Sequence, residues 1–391
     1  MTMTRIGAEE VVARARALSP RFAEQNARGE EIRTLPEETM ELIREARFTQ
    51  ILQPARFGGL ELGYDIVNQV LIEIARVNAS AAWVTMVFNT GTMTAGFPVQ
   101  AQEELWAGGP DVLVGGVFAP TTRLERLDGA YRISGRWPFA SGCDHADWMM
   151  LAGLVQQEDQ APDQRFFLVP KGEYTIEDDW HVSGLRGTGS KMVVAENIEV
   201  PAHRSCSMAD LREGKGPGTE VNTAPVFRIP LAAVYHGGAA APAIGIAKGA
   251  VERWREWVAG RYAHGVVRMA DQVTTQIHLA ESAADVEAAE VLLRHDGEEV
   301  RSRSESGPEI TLEDRGRFHR NAAYITALCV RAVDRLFEVG GGSGLYDRNP
   351  IQQPWRDVHA VQGHVSNRWD DAMEHWGRLV FGRGVTNPFF Y

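Results

Sequence analysis

The sequence predicts an α+β protein in which helical segments flank a central segment of strands. Apolar residues recur at helical spacing over roughly the first hundred residues. Short β-rich runs punctuated by Gly, Pro and Asp follow, and long helical patterns return after Ile229. This order divides the chain into an N-terminal helical domain (1–111), a central β domain (112–206) and a C-terminal helical bundle (207–391).

The N-terminal domain is predicted to contain four helices. Ala8–Asn26 is charged and rich in alanine, and the helix that starts at Pro36 has a proline where it suits a first helical turn. Phe57-Gly58-Gly59 interrupts the helical pattern, and Tyr64–Val77 restores it. Ser80–Phe97 is apolar and rich in small residues, which predicts a buried helix.

Five short runs in the central domain have the composition of strands. They are Val112–Phe118, Tyr131–Ser134, Trp148–Val155, Phe166–Val169 and Met192–Val200. The segment Ser207–Val226 contains the run EGKGPGTEVNTAP and is predicted to be a linking loop.

The C-terminal domain is predicted to consist of four long helices. They are Ala239–Tyr262, Met269–Arg303, Leu312–Val339 and, after a break at Gly340–Pro350, Asp357–Phe381. Helices of this length and number predict an antiparallel bundle.

The composition excludes several classes of protein. The 391 residues are 44% hydrophobic, enough for two or three domains with a sizeable core. Lys plus Arg number 40 and Asp plus Glu number 52, so the net charge of -12 argues against a nucleic-acid partner. Three cysteines without CxxC spacing argue against a disulfide framework and against a metal site. The N-terminus lacks an apolar signal core and no window is long enough to cross a membrane, so we expect a cytoplasmic protein without a membrane partner.

Two segments concentrate polar chemistry between apolar stretches. Trp137–Trp148, WPFASGCDHADW, places a hydroxyl, a thiol, a carboxylate and an imidazole in a turn framed by aromatic residues. Trp355–Asn367, WRDVHAVQGHVSN, carries His359 and His364. Polar side chains this dense exceed what a core needs, so both segments are candidate parts of a functional site.

Further segments, in their order and spacing, make the chain resemble the acyl-CoA dehydrogenase fold. They are RFTQILQPARFGGLEL from Arg47, ARVNASAAWV from Ala75, WHVSGLRGTGSKMVVAENIEVP from Trp180, the glycines from Gly341 to Gly344 with Pro350, and the pair Arg356-Asp357. The SGCDH run and His364 make the chain similar to one branch of this fold, the two-component flavin-dependent monooxygenases, which include phenol and hydroxyphenylacetate hydroxylases. The resemblance implies a β-barrel-like central domain and a C-terminal four-helix bundle.

The same resemblance implies a monooxygenase rather than a dehydrogenase. Acyl-CoA dehydrogenases commonly place a catalytic glutamate nine positions after the Arg of the RD pair, and Val365 stands there. Valine cannot abstract a proton. His364, one position earlier, matches the catalytic histidine of the monooxygenase branch, where it could act as an acid or a base near neutral pH.

The resemblance also implies a flavin and its contacts. Ser141 matches the residue whose hydroxyl faces flavin N5, and Phe139 matches the aromatic residue that leans on the ring. Further flavin contacts are implied for Phe118, Pro120, Thr121, Arg261, Gly341, Gly342 and Gly344. The family pattern has an aromatic residue three places after Arg261, where this chain has His264. No GxGxxG motif follows a strand, so reduced FMN or FAD is expected to come from a separate flavin reductase.

The expected function is that of an oxygenase component that hydroxylates a small aromatic substrate with reduced flavin and O2, through a C4a-hydroperoxyflavin. The alternatives are an acyl-CoA dehydrogenase-type desaturase, an N- or S-oxygenase, and a non-catalytic module that only binds a ligand or partner. Asn89, Asp144 and His145 are the polar candidates on the substrate side. Relatives complete each flavin site with a neighbouring subunit, so we expect a homotetramer, with a dimer as the alternative.

The candidate residues also have purely structural interpretations. Ser141-Gly142 is common turn chemistry, and His364 could be a core histidine with satisfied hydrogen bonds. The glycines from Gly341 could end a helix. Cys143 is expected to be a small buried residue, and Asp144-His145 could be a hydrogen-bonded pair that shapes the loop.

Overall fold

Helices occupy both ends of the chain and strands occupy the middle, as predicted. A computed structural model of the chain describes residues 6–120, 122–156, 161–263 and 266–386. Within these ranges, no helix combines the length and apolarity that crossing a membrane would need.

Six helices form the N-terminal part. They are α1 (Ala8–Ile32), α2 (Glu37–Glu45), α3 (Tyr64–Ala75), α4 (Ala79–Phe88), α5 (Gly91–Thr94) and α6 (Val99–Leu105). Asn78 starts α4, because its Oδ1 accepts from the backbone N–H of Ala81 at 2.9 Å. Its Nδ2 donates to the carbonyl of Phe22 at 3.1 Å, which ties the start of α4 to α1.

The prediction of one buried helix over Ser80–Phe97 is wrong, because the helix breaks after Phe88. Asn89 Nδ2 donates to the carbonyls of Thr85 and Phe48 at 2.8 and 3.0 Å, which ends α4 and ties it to the preceding loop. The backbone at Gly91 then lies so close to that loop that a Cβ would be 2.5 Å from the backbone of Leu52.

In the part of the chain that the structure describes, eight strands form one continuous sheet. They are β1 (Val114–Val117), β2 (Arg123–Arg126), β3 (Ala130–Ala140), β4 (Trp148–Val155), β5 (Asp163–Pro170), β6 (Thr175–Glu177), β7 (Lys191–Pro201) and β8 (Ser205–Ser207). Their order is β6-β7-β3-β2-β4-β5-β8, and β1 pairs with β4 in parallel. All five predicted runs are confirmed as strands, and β4 agrees in both bounds. The strands β2, β6 and β8 escaped prediction because they are short and rich in polar residues.

Among the described residues, the C-terminal part contains six helices, of which the second, third and fourth are the longest. They are α7 (Met208–Arg212), α8 (Tyr235–Ala259), α9 (Val273–Ser306), α10 (Leu312–Val339), α11 (Gln352–Gln362) and α12 (Trp369–Val380), with a small hairpin of β9 (Tyr262–Ala263) and β10 (Val267–Arg268) after α8. Helices α8 and α10 run in the same direction. His236 stacks on His319 near their starts, and Trp254 Nε1 donates to the carbonyl of Leu336 at 3.0 Å near their ends.

The prediction of one last helix over Asp357–Phe381 is wrong, because α11 and α12 are separated by a turn. Gly363 ends α11, and His364 leaves the helical conformation with ψ at 141°. Asn367 Nδ2 donates to the carbonyls of Val361 and Ala239 at 2.9 and 3.2 Å, so one side chain both caps α11 and ties the turn to α8.

The Arg356-Asp357 pair joins α11 to the turn that precedes β7. Asp357 is buried, and its Oδ1 accepts from the backbone N–H of Leu185 at 2.7 Å. Arg356 donates to the carbonyl of Ser183 and, at 2.9 Å, to Glu30 on α1. Burial and the nearby charge of Glu30 raise the pKa of Asp357 to about 7. One dipeptide thus connects both helical parts of the chain to the sheet.

We expect Asp357→Ala to lower the free energy of unfolding by about 1–3 kcal/mol, because the buried N–H of Leu185 loses its acceptor. Asp357→Asn keeps an acceptor oxygen and should cost less. The folded-state pKa of about 7 lies above the ordinary value of 3.8, so the folded protein holds a proton that the unfolded chain releases between these pH values. The stabilising contribution of this group therefore falls as the pH rises through that window.

Urea unfolding of both variants and the wild type at pH 5 and pH 8 tests this expectation. Between pH 5 and pH 8, the free energy of unfolding of the wild type should fall relative to that of Asp357→Asn. An unchanged difference would show that Asp357 does not take up a proton on folding.

Candidate functional site

A bulge at the end of β3 presents Ser141. The pairing of β3 with β7 shifts register between Trp137 and Ala140, and Phe139 adopts the left-handed conformation with φ at 61°. Gly142, at φ 72°, turns the chain again, and its N–H donates to the carbonyl of Thr188 at 2.9 Å. Ser141 is thereby held between two residues of positive φ, with 5% of its surface exposed.

The hydroxyl of Ser141 belongs to a buried network of polar side chains. Trp83 Nε1 on α4 donates to Ser141 Oγ at 3.2 Å, and Ser190 Oγ lies 2.6 Å from the same oxygen. Thr188 Oγ1 lies 2.6 Å from Ser190 Oγ and donates to the carbonyl of Leu185 at 2.9 Å. Three hydroxyls therefore connect the indole of Trp83 to the turn that Asp357 holds.

His364 lies beside Trp83 in the turn between α11 and α12. The two ring centroids are 5.1 Å apart in an edge-to-face arrangement. The backbone N–H of Ser366 donates to His364 Nδ1 at 3.3 Å, and Nε2 has no hydrogen-bond partner among the residues that the structure describes. Burial lowers the pKa of His364 to about 4, so its imidazole is neutral at pH 7. Trp83 contacts both principal candidates, Ser141 through its N–H and His364 through its ring.

Aromatic side chains enclose this group. Tyr235, at the start of α8, has its ring centroid 6.4 Å from that of His364 and 5.1 Å from that of Phe118. Phe118, after β1, also packs edge-on against Phe166 at 5.1 Å. Ser141, Phe118 and His364, which were predicted to share a site, are thus joined through Trp83 and Tyr235.

The side chain of Phe139 gives the strongest indication of where a cofactor would bind. The ring of Phe139, whose backbone is left-handed, is 71% exposed, and Trp180 packs against it edge-to-face with the ring centroids 6.2 Å apart. A planar ring system with a polar edge would cover this apolar surface and place its polar edge near Ser141. The residues present therefore fit a flavin.

Arg261 and the glycines from Gly341 lie far from this group within one chain. Arg261 follows the end of α8, where its guanidinium stacks on Trp257 at 4.0 Å. The 25 residues of α8 separate it from Tyr235 by about 36 Å at 1.5 Å per residue. Gly341, Gly342 and Gly344 form a 3-10 turn after α10, at the same end of the helices. One chain therefore does not bring these predicted flavin contacts to Ser141.

The polar residues after Ser141 tie its loop to neighbouring elements. Asp144 pairs with Lys191 on β7 at 2.9 Å, and His145 Nε2 donates to the carbonyl of Leu35 at 2.9 Å. The structure gives no hydrogen bond between Asp144 and His145 themselves. Burial raises the pKa of the Cys143 thiol to about 12, so it is not a nucleophile.

Four other candidates have less direct evidence for a place in the site. Asn89 caps α4 and is buried, as described above. Pro120 is half-buried after β1, and Thr121 lies outside the described residues. His359 Nε2 on α11 donates to the carboxylate of Asp334 at 2.9 Å, and this contact raises the pKa of His359 and holds its side chain against α10.

Sequence reasoning missed Ser190, Thr188 and Tyr235. The hydroxyls of Ser190 and Thr188 stand in the run GLRGTGSK, which carried the resemblance but no predicted role. Ser190 is 49 positions from its partner Ser141, so no local pattern indicates the contact. Tyr235 begins α8 four residues before the predicted start, which hid its place in the site.

The chain is similar to known proteins over nearly its whole length. Residues 237–369 match the family described as acyl-CoA dehydrogenase, C-terminal domain. The oxygenase subunit HsaA of a flavin-dependent monooxygenase from Rhodococcus jostii (strain RHA1) is 33% identical over 374 residues, 95% of this chain and 98% of the relative. The oxygenase component of an FADH2-dependent resorcinol hydroxylase from Rhizobium sp. (strain MTP-10005) is 34% identical and covers 95% of this chain and 94% of its own. The crystal structure of the HsaA monooxygenase from M. tuberculosis superposes with a TM-score of 0.92 at 32% identity, covering 99% of this chain and 100% of that one.

The helices, the sheet and the aromatic site define a flavoprotein with an acyl-CoA dehydrogenase-like fold. More specifically, the chain belongs to the family of flavin-dependent monooxygenases, as the oxygenase component of a two-component system. It is an enzyme that uses reduced flavin and O2. The desaturase and the non-catalytic module, both considered from the sequence, are thereby set aside.

The conformation of Gly142 generates a prediction with a matched control. Gly142 and Gly129 have nearly the same φ, 72° and 71°, but a Cβ at Gly142 would lie 2.8 Å from Phe88 Cζ, whereas a Cβ at Gly129 meets nothing within 4 Å. Gly129→Ala should cost about 1–2 kcal/mol of stability from its backbone conformation alone. Gly142→Ala should cost about 1–3 kcal/mol more, because it also overpacks the loop against α4. Chemical unfolding measures both, and equal losses would contradict the close packing of this loop.

Proposed function

We propose that this enzyme hydroxylates the ring of a small phenol, with Ser141 and His364 as its principal site residues. The observation that supports this most strongly is the placement of Trp83 between a buried hydroxyl and a neutral imidazole, within an aromatic enclosure. The similar resorcinol hydroxylase acts, by its name, on a phenol. When bound, reduced FMN or FAD supplies the electrons and the oxygen-activating chemistry, and the chain's own residues bind, orient and exclude water.

In this proposal Phe139 and Ser141 would hold the flavin. The exposed ring of Phe139 would pack against one face of the isoalloxazine, and the hydroxyl of Ser141 would form a hydrogen bond with N5. Phe118 and Tyr235 form the wall on the α8 side and keep water from the reacting atoms. Oxygen transfer needs a dry site, because stray protons and water divert activated oxygen to hydrogen peroxide.

His364 is proposed to donate a hydrogen bond to the phenol oxygen. Because Nδ1 accepts from the N–H of Ser366, the neutral ring carries its proton on Nε2. Nε2–H is then a donor that stabilises negative charge on the phenol oxygen, and this charge makes the ring carbons more reactive towards an electrophilic oxygen atom. The structure thus favours a donor over the general acid or base that the resemblance implied.

Two substitutions distinguish a donor from a proton-transferring group. His364→Gln keeps an N–H donor near the position of Nε2, and His364→Leu removes it. If His364 is a donor, the Leu variant should lose about 10²-fold in single-turnover hydroxylation, and the Gln variant should stay within about tenfold of wild type. The wild-type yield should also be flat from pH 6 to pH 8, since the pKa of about 4 lies below this range.

The assay combines the reduced flavin, O2 and a panel of phenols, with the methyl ether of each phenol as its control. Product should form from phenols and not from ethers, and NADH without a reductase should not reduce the bound flavin. A Gln variant as inactive as Leu would assign proton transfer to His364. Turnover of the ethers, or of amines or sulfides instead of phenols, would replace ring hydroxylation by another oxygenation.

We further propose that the chain forms a homotetramer in which Arg261 and the glycines from Gly341 contact the flavin of a neighbour. These groups lie about 36 Å from the site of their own chain along α8. Exposed apolar side chains along the long helices support an interface, among them Val291 (54% exposed), Tyr324 (44%) and Trp369 (46%). The three domains 1–111, 112–206 and 207–391, with a barrel-like middle and a four-helix bundle of α8, α9, α10 and the α11–α12 pair, are part of the same proposal.

Sedimentation at micromolar concentration should show a tetramer. Arg261→Ala should leave the tetramer intact but weaken flavin binding about tenfold, the scale of one charged contact. Arg255→Ala, an exposed arginine on the same helix, is the control and should change neither property. The shared site would be contradicted if the wild type were a monomer and Arg261→Ala bound flavin as tightly as the wild type does.

A further inference from the structure

The hydroxyl chain that ends at Ser141 has a direction. Its four contacts are Trp83 Nε1 to Ser141 Oγ at 3.2 Å, Ser141 Oγ to Ser190 Oγ at 2.6 Å, Ser190 Oγ to Thr188 Oγ1 at 2.6 Å, and Thr188 Oγ1 to the carbonyl of Leu185 at 2.9 Å. The indole N–H at one end can only donate, and the carbonyl at the other end can only accept. Both ends therefore favour the same direction of donation, from Trp83 towards Leu185.

Each hydroxyl has one proton, so the acceptor at Leu185 determines the donor and acceptor of every hydrogen bond in the chain. Thr188 donates its proton to Leu185 O, and it therefore accepts from Ser190. Ser190 has then used its proton, so it accepts from Ser141. Ser141 in turn accepts from Trp83 and has its own proton directed inward, towards Ser190.

The opposite direction satisfies fewer groups. If Thr188 donated to Ser190 and Ser190 to Ser141, the oxygens of Thr188 and Leu185 would face each other at 2.9 Å with no proton between them. That arrangement keeps three hydrogen bonds where the first has four. All three hydroxyls are buried, at 5% exposure or less, so water does not compensate the lost contact.

The carbonyl that sets this direction is firmly held. Leu185 adopts φ 52°, and its own N–H donates to the buried Asp357 at 2.7 Å. Its carbonyl also accepts from the backbone N–H of Thr188 at 3.1 Å and from Trp180 Nε1 at 3.4 Å. The acceptor at the end of the chain therefore cannot turn away from Thr188.

We propose that Thr188 and Ser190 make the site selective for the reduced state of the flavin. With its proton directed inward, Ser141 offers the site only a lone pair. Reduced flavin carries a hydrogen on N5 and donates to that lone pair, whereas oxidised flavin has an unprotonated N5 and would meet one acceptor with another. Thr188 and Ser190 are positioning residues that act through Ser141, and the inference rests on the proposed contact between Ser141 and N5.

Thr188→Val removes the hydroxyl at nearly constant shape, and Thr188→Ser is the matched control that keeps it. Without the Thr188 oxygen, Ser190 is free to donate to Ser141, and Ser141 is free to donate outward. The Kd of oxidised flavin should then fall by about tenfold, the scale of one hydrogen bond, while the Kd of reduced flavin stays nearly constant. The same change appears as a drop of about 30 mV in the midpoint potential of the bound flavin.

Titration of oxidised and photoreduced FMN and FAD into wild type and both variants, without substrate, measures these constants. A merely damaged site would bind both states more weakly, so tighter binding of oxidised flavin by Thr188→Val supports the proposal, and wild-type values for Thr188→Ser complete it. The proposal is overturned if the ratio of the Kd of oxidised flavin to that of reduced flavin is unchanged in Thr188→Val. It is also overturned if this ratio shifts equally in both variants. Absence of flavin binding by the wild type would instead refute the proposed function.

Discussion

The hydrogen bond from the backbone of Leu185 to the buried carboxylate of Asp357 is the contact on which the other features depend. It fixes a left-handed residue in a turn that touches all three parts of the chain. The carbonyl of that residue ends the hydroxyl chain of the site, and the carboxylate stands on the helix that leads into the turn of His364. The geometry of Ser141 and that of His364 therefore share one anchor, although they belong to distant parts of the sequence.

Desolvation is the second constraint, and its main effect is on the protonation states of buried side chains. His364 is neutral because burial lowers its pKa, and behind it His319 is held neutral for the same reason, with its pKa lowered to about 3. For His364, burial is the sole cause of the lowered pKa, and no carboxylate charge opposes it among the described residues. A neutral interior of this kind suits a reaction in which stray protons are harmful, since only the few N–H and O–H groups aimed into the site can donate.

Much of the fold could be predicted from the sequence, since regular elements leave periodic patterns. The bounds of β4 and α10 agree with their apolar runs, because β4 is buried on both faces and α10 packs one continuous face into the core. The breaks at Asn89 and at Gly363–Arg368 could not be predicted, because side chains cap backbone groups there through contacts with distant segments. An apolar pattern records which face is buried, and it does not record where a carbonyl finds its donor.

The site shows the same division. Ser141 and His364 could be named as candidates because whole motifs carry them, and Trp83 stood in one of those motifs without a predicted role. Their relation to each other is a matter of three dimensions: an indole between them, two hydroxyls behind one of them, and a tautomer set by the N–H of Ser366. Arg261 is the opposite case. The family resemblance implied a flavin contact for it, but within one chain Arg261 lies too far from Ser141 to make that contact.

The burial of Cys143 next to Ser141 bears on how long such an enzyme survives its own chemistry. Reduced flavin that reacts with O2 without a substrate yields hydrogen peroxide, and peroxide attacks thiolates far faster than thiols. The pKa of about 12 keeps Cys143 a thiol, and Cys206 is protected by burial in the same way, with its pKa raised to about 12. The thiol beside Ser141 is therefore held in its least reactive form, which suits the protein to turnover in air without substrate.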